Sequence, residues 1–252
     1  MTETRVDTGY RKDARMNLND IDVSRWPHWR SDDGNVLLVN GDCLEVLPVL
    51  PKVDLVVTDP PYGVNFKYES HDDTPVGYGD WCAKWFSVLP KATTTAISCG
   101  LVNIGLWASI KPYRWVLAWH KPASMGRCAV GFNNWEPVVL YGKTPRQVCD
   151  VFRACIIPDD SIDGHPCPKP LEWALWQVEN LSNEHNLVVD AFAGSGTTGV
   201  ACVRLGRKFI GIELEPKYYE IAIKRIRAEQ ERFPLFEKST KKEPQQLPGF
   251  DQ

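Results

Sequence analysis

From Val36 onward the chain alternates short runs of aliphatic and β-branched residues with longer stretches whose apolar positions recur every three to four residues. The runs at 36–39, 55–57, 94–97, 115–119, 138–141, 187–189 and 209–212 predict strands. Between them, 81–89, 101–110, 171–181, 197–205 and 217–231 have helical spacing and lengths suited to crossovers. Strands that are apolar throughout, alternating with helices, predict an α/β domain: a mostly parallel sheet with helices on both faces. Residues 1–33 carry alternating charges, with Trp26 and Trp29 as their large anchors, and are read as a polar lead-in docked at most through those rings. Residues 34–233 form the domain, and 234–252, polar and Pro-bearing, a tail.

A length of 252 residues with 43% hydrophobic and 24% charged positions suits one sizeable folded unit and excludes disorder over most of the chain. No stretch approaches the roughly 18 consecutive apolar residues that span a bilayer. The first twenty residues lack the apolar core of an export signal, so a cytoplasmic protein is expected. Eight cysteines are scattered without C-x-x-C spacing, so they are read as reduced, mostly buried thiols, with no metal site. Net charge is −3, with −5 over residues 1–110 and +2 over the rest. A nucleic-acid surface, if present, is therefore local.

Two segments carry chemistry. In 187–199 an apolar strand enters a glycine-rich turn and then a helix, and Gly194, Gly196 and Gly199 match G-x-G-x-x-G. Such a turn lets backbone approach a ligand, and Glu213, ending the next strand, is placed to hydrogen-bond ribose hydroxyls. The loop alone suits NAD or S-adenosylmethionine equally. A dinucleotide site needs several further strands, yet one helix and a polar tail follow Glu213, which disfavours NAD. The nucleotide-binding half is thus written last.

In 53–63 a second strand ends in Asp59, Pro60, Pro61 and Tyr62. Prolines lack backbone donors, so this loop presents acceptors: the Asp59 carboxylate and the Pro60 carbonyl can each accept one N–H of an exocyclic amino group, and Tyr62 can stack on its ring.

With these motifs in this order, the sequence resembles the beta class of amino-group DNA methyltransferases from Val36 to about Ile226. Gly41-Asp42-Cys-Leu-Glu-Val-Leu47 resembles the segment whose Asp meets the cofactor adenine. Trp119-His-Lys-Pro122 and Trp135-Glu-Pro-Val-Val-Leu-Tyr141 resemble its central strands, and His165-Pro-Cys-Pro-Lys-Pro170 the element whose Lys169 reaches the methionine carboxylate. Asp190-Ala-Phe-Ala-Gly-Ser-Gly-Thr-Thr198 resembles the cofactor loop.

The resemblance implies a Rossmann-like S-adenosylmethionine-dependent methyltransferase fold with permuted motif order. It assigns Asp59, Pro60, Pro61 and Tyr62 to catalysis, and Asp42, Lys169, Asp190, Phe192, Gly194, Gly196, Thr197, Thr198 and Glu213 to the cofactor. It implies methylation of adenine N6 in double-stranded DNA, with the base flipped out and a restriction-modification context. Cytosine-N4 methylation and a non-catalytic cofactor- or DNA-binding module are the alternatives, and a homodimer is left open. Target recognition is expected in short insertions at about 64–79 and 142–165, where Arg146 and Arg153 are candidates to read guanine or hold phosphate, with plain solvation the commoner role. Lys224, Arg225, Arg227 and Arg232 are read as a solvated basic face of the last helix.

Overall fold

The structure is a computed structural model that describes residues 17–66, 73–122, 126–154 and 169–240, with side chains as far as Arg232. In chain order its elements are β1 (His28–Arg30), β2 (Val36–Asn40), α1 (Cys43–Val46), β3 (Val53–Thr58), α2 (Tyr78–Ser87), β4 (Ala92–Ser98), α3 (Ile104–Ile110), β5 (Trp115–His120), β6 (Gly126–Cys128), β7 (Gly131–Asn133), β8 (Trp135–Gly142), β9 (Val151–Arg153), α4 (Leu171–Leu181), β10 (Leu187–Asp190), α5 (Thr197–Arg204), β11 (Lys208–Glu213) and α6 (Pro216–Thr240). Every strand and helix expected from the pattern is present. The added β1, β6, β7, β9 and α1 are three or four residues long, too short to display a period.

Nine strands form one sheet in the order β1-β2-β11-β10-β3-β4-β8-β5-β9, with β6 and β7 as a separate hairpin. The run from β2 to β4 is parallel, β8 is antiparallel to β4 and β5, and β1 is antiparallel to β2. Alternate residues feed opposite cores: Leu37 and Val39 pack on the side of α1, α2 and α3, while Val36 and Leu38 pack with α4, α5 and α6. Burial on both faces is why these strands read as unbroken apolar runs, each buried aliphatic contributing about 1.5–3 kcal/mol. Of the cysteines described, Cys43, Cys82, Cys99 and Cys202 are buried and Cys128 and Cys149 exposed.

The lead-in departs from expectation. Leu18, Ile21, Val23 and Trp26 are buried, and β1 pairs along β2 and covers that edge. The Arg30 guanidinium binds the carbonyls of Leu18 and Ile21, and Trp26 Nε1 donates to Glu45 at 3.2 Å. These anchors are isolated among polar residues, so no periodicity announces them. At the other end α6 continues past Phe233 to Thr240, into the segment expected to be tail.

The glycines of the last crossover are packing devices. A Cβ on Gly199 would lie 2.5 Å from Ile226 Cδ1 and 2.7 Å from Phe209, and one on Gly196 would lie 2.8 Å from Ala222 Cβ. Gly196 also has φ +79°, which L side chains rarely adopt. Gly199→Ala is expected to cost about 1–3 kcal/mol by overpacking, read as a lower midpoint in urea unfolding.

The chain leaves β10 through α5 towards β11 on one side and leaves β3 through α2 towards β4 on the other. Between the carboxyl ends of β10 and β3 the connections thus diverge, opening the crevice where open α/β sheets bind ligands.

Candidate active site

Thr58 and Asp59 at the end of β3 stand beside Asp190 at the end of β10. Asp190 is 4% exposed, and its carboxylate accepts from Thr58 Oγ1 (2.9 Å), Phe192 N (3.1 Å) and Thr198 Oγ1 (2.7 Å). One buried carboxylate therefore fixes the glycine loop and joins it to the strand bearing Asp59. Arg225 tightens the loop from the other side, donating to the Ser195 carbonyl (2.7 Å) and Thr197 Oγ1 (3.0 Å). Arg227 lies over the Trp29 ring at 5.1 Å. Two of the four basic residues read as a solvated face are thus structural, turned inward by partners remote in sequence.

After Asp59 the chain is clamped. Tyr78 Oη donates to the Pro61 carbonyl at 2.8 Å, and Asn103 Nδ2 to the Tyr62 carbonyl at 2.8 Å. Asp73, 3% exposed, accepts from the backbone N–H groups of Gly63, Val64 and Phe66. Tyr62 Oη donates to Asp59 Oδ1 at 2.6 Å, and Lys169 Nζ meets Asp59 Oδ2 at 3.2 Å.

Lys169 also pairs with Glu136 Oε2 at 2.8 Å, and Lys121 with Glu136 Oε1 at 2.5 Å. Asp59, Lys169, Glu136 and Lys121 thus form a chain of alternating charge that is neutral as a whole. Burial pushes Asp59 above the usual carboxylate range while Lys169 pulls it back. Burial likewise opposes ionisation of Glu136, but Lys169 and Lys121 outweigh it and bring it down to about 2. Lys169 is held above its ordinary range by Asp59 and Glu136, against the effect of burial.

Sequence reading did not single out Glu136, Lys121 or Asp73 as site residues. The available signal for the first was an acidic residue opening an otherwise apolar strand.

Glu213 ends β11, and its carboxylate accepts from Gly194 N (2.7 Å) and Glu215 N (2.8 Å), with lone pairs remaining for hydroxyl donors. Burial raises Glu213 to about 7 despite those bonds, and raises Asp190 to about 6. Both exceed their unfolded values, so between the ordinary carboxyl range and about pH 7 the folded chain binds more protons than the unfolded one. Stability without cofactor is expected to fall as pH rises through that window. Thermal unfolding between pH 5 and 8 checks this, with a shallower slope for Glu213→Gln.

Asp42 follows β2 at the same sheet edge and caps α1 through Leu44 N at 2.9 Å, while Gly41 N donates to the Glu213 carbonyl at 3.0 Å. Phe192 packs between Trp81 and Trp85, with ring centroids 5.6 and 5.2 Å away. Trp119 is buried and stacks on Trp173, which makes it a core residue. Arg146 is exposed, as expected of a solvated residue, and its guanidinium donates to the carbonyls of Glu179 and Ser182 and to Asn183 Oδ1, closing the C-terminal end of α4. His165 lies outside the described residues, as do parts of both expected recognition insertions.

These groups match what S-adenosylmethionine presents. Glu213 suits a ribose diol, Lys169 with the hydroxyl of Thr197 suits a carboxylate, and Asp190 suits positive charge. A family model described as DNA methylase (N6_N4_Mtase) matches residues 149–224. The Type II methyltransferase M2.DpnII of Streptococcus pneumoniae is 50% identical, the match covering 78% of this chain and 91% of the relative. Among solved structures, the M1.HpyAVI–SAM complex superposes with a TM-score of 0.57 at 26% identity, over 75% of this chain and 99% of that one. The PvuII DNA methyltransferase, titled cytosine-N4-specific, superposes with a TM-score of 0.63 at 19% identity over 79% and 92%, a likeness of fold.

Proposed function

Because the chain belongs to the N6/N4 family of amino DNA methyltransferases, with S-adenosylmethionine as cofactor, we propose that it methylates N6 of an adenine flipped out of double-stranded DNA. The observation that carries the reading is Asp59, followed by two prolines and Tyr62, held by Lys169 at the divergent carboxyl edge of the sheet. Described residues contain no helix long and apolar enough to cross a membrane. A cytoplasmic role alongside a restriction enzyme fits the Type II relatives.

When bound, S-adenosylmethionine supplies a methyl group on a sulfonium, already activated for displacement. The residues that would hold it are Asp42, Lys169, Asp190, Phe192, Gly194, Gly196, Thr197, Thr198 and Glu213. The protein's task is the nucleophile. An aromatic amino nitrogen is weak because its lone pair is delocalised into the ring. Asp59 and the Pro60 carbonyl, each accepting one N–H, favour a pyramidal nitrogen with its lone pair free, so positioning and electrostatics carry the catalysis. Tyr62 stacks on the base and spends its hydroxyl on Asp59, fixing that carboxylate. The alkylated nitrogen is acidic and sheds its proton to Asp59 or water. A base within the duplex does not reach this crevice, so flipping, at a cost of a few kcal/mol, precedes chemistry.

Adenine is preferred over cytosine because the motif opens with Asp59, where cytosine-N4 enzymes more often carry Ser. Transfer of labelled methyl to unmethylated duplex DNA, followed by nucleoside digestion and mass analysis, tests both parts. N6-methyladenine is the expected product. N4-methylcytosine would keep the mechanism and overturn the base assignment.

A further inference from the structure

A cavity of about 30 Å³ lies between the carboxyl ends of β3, β4 and β10 and the helix α4, and its lining includes Asp59, Lys169, Asp190, Thr198 and Gln177. Gln177 is 4% exposed, and its carbonyl Oε1 meets no donor. Among the described residues it is the buried side-chain acceptor left unpaired; the two unpaired donors, the indole N–H groups of Trp85 and Trp107, lie in the core of the opposite sheet face. Buried amide oxygens are normally paired, because an unpaired one loses its hydration for nothing in return. Its companions on the buried face of α4, Trp173, Ala174, Val178 and Leu181, are apolar. Packing alone therefore gives no reason for an amide here.

None of the donors lining the cavity bonds Gln177 Oε1. Lys169 Nζ meets Asp59, Glu136 and the Tyr62 hydroxyl, and the hydroxyls of Thr58 and Thr198 both donate to Asp190. A ligand group entering the cavity supplies the donor that Gln177 Oε1 lacks in the free protein. Asp190 favours a cationic one, and the volume admits a group the size of ammonium or one or two waters, not a nucleoside.

We propose that Gln177 is a cofactor-binding residue whose Oε1 accepts a hydrogen bond from the α-ammonium of S-adenosylmethionine. The assignment rests on the methyltransferase reading and adds to it the recognition of the amino-acid arm from beneath the sheet edge. It divides cofactor analogues by whether they carry that ammonium. S-adenosylhomocysteine and decarboxylated S-adenosylmethionine do, and 5′-methylthioadenosine does not.

Calorimetric binding of these three compounds to wild type and Gln177→Met, with thermal unfolding of the free proteins, tests the proposal. The variant is expected to lose about tenfold in affinity for the first two compounds and to bind methylthioadenosine within about twofold of wild type. Its melting temperature without ligand is expected to be no lower, since methionine removes an unpaired acceptor at nearly constant volume. Equal losses for all three compounds, or no loss for any, would overturn the assignment. A wild-type protein that binds none of them would overturn the methyltransferase reading itself.

Discussion

Asp59→Ala is expected to lower methyl transfer by about a thousandfold or more while cofactor affinity stays within about threefold. In the proposed mechanism the carboxylate is one of two acceptors for the substrate amino group, and loss of one preorganised electrostatic contact of this kind costs about 10²–10³ in rate. Alanine also frees the Tyr62 hydroxyl and leaves Lys169 paired with Glu136 alone, so the Tyr62 ring and the charge chain lose their common anchor. Lys169→Ala and Glu213→Ala are expected to weaken cofactor binding first. Single-turnover transfer rates beside calorimetric affinities separate the cases, and equal cofactor loss in all three variants would contradict the division of roles.

Glu136→Ala is expected to be the most destabilising single change near the site. Glu136 is shared by Lys121 and Lys169, whose side chains are 7% and 23% exposed. Removing one partner of a buried pair leaves a charge uncompensated, at a cost of about 3–5 kcal/mol, and lowers the melting temperature by on the order of 10 °C for a chain this long. The pH dependence carries its own signature. With Glu136 held at about 2, below its unfolded value, its contribution is fully present above the ordinary glutamate range and is lost as pH falls towards 2. Acid unfolding monitored by circular dichroism is expected to steepen across that window in wild type and to flatten in the variant. Transfer rate is expected to fall more than cofactor affinity, because Lys169 is then drawn onto Asp59 alone.

The sheet was legible because its strands, buried on both faces, are unbroken apolar runs, and Asp59 and Asp190 were legible because each ends such a run at a turn. Glu136 and Lys121 were not. They meet only because β5 and β8 lie side by side with Trp119 opposite Glu136, a register that no local pattern encodes. The glycine loop was half legible. Gly194 stays at the site, its N–H on Glu213, whereas Gly196 and Gly199 give way to Ala222, Ile226 and Phe209 from elements that follow. The lead-in misled because its anchors are single apolar residues satisfied by long-range contacts.

The order of the strands sets the order in which the molecule can be born. On the ribosome β2 and β3 emerge early, yet β10 and β11, which fill the gap between them, emerge last. Until then the nascent sheet keeps two inner edges unpaired, the condition that slows folding and invites aggregation. Asp59 has no Asp190 beside it, and Glu213 does not yet exist. Translation that stops before β11 therefore leaves the crevice without one wall and without Glu213.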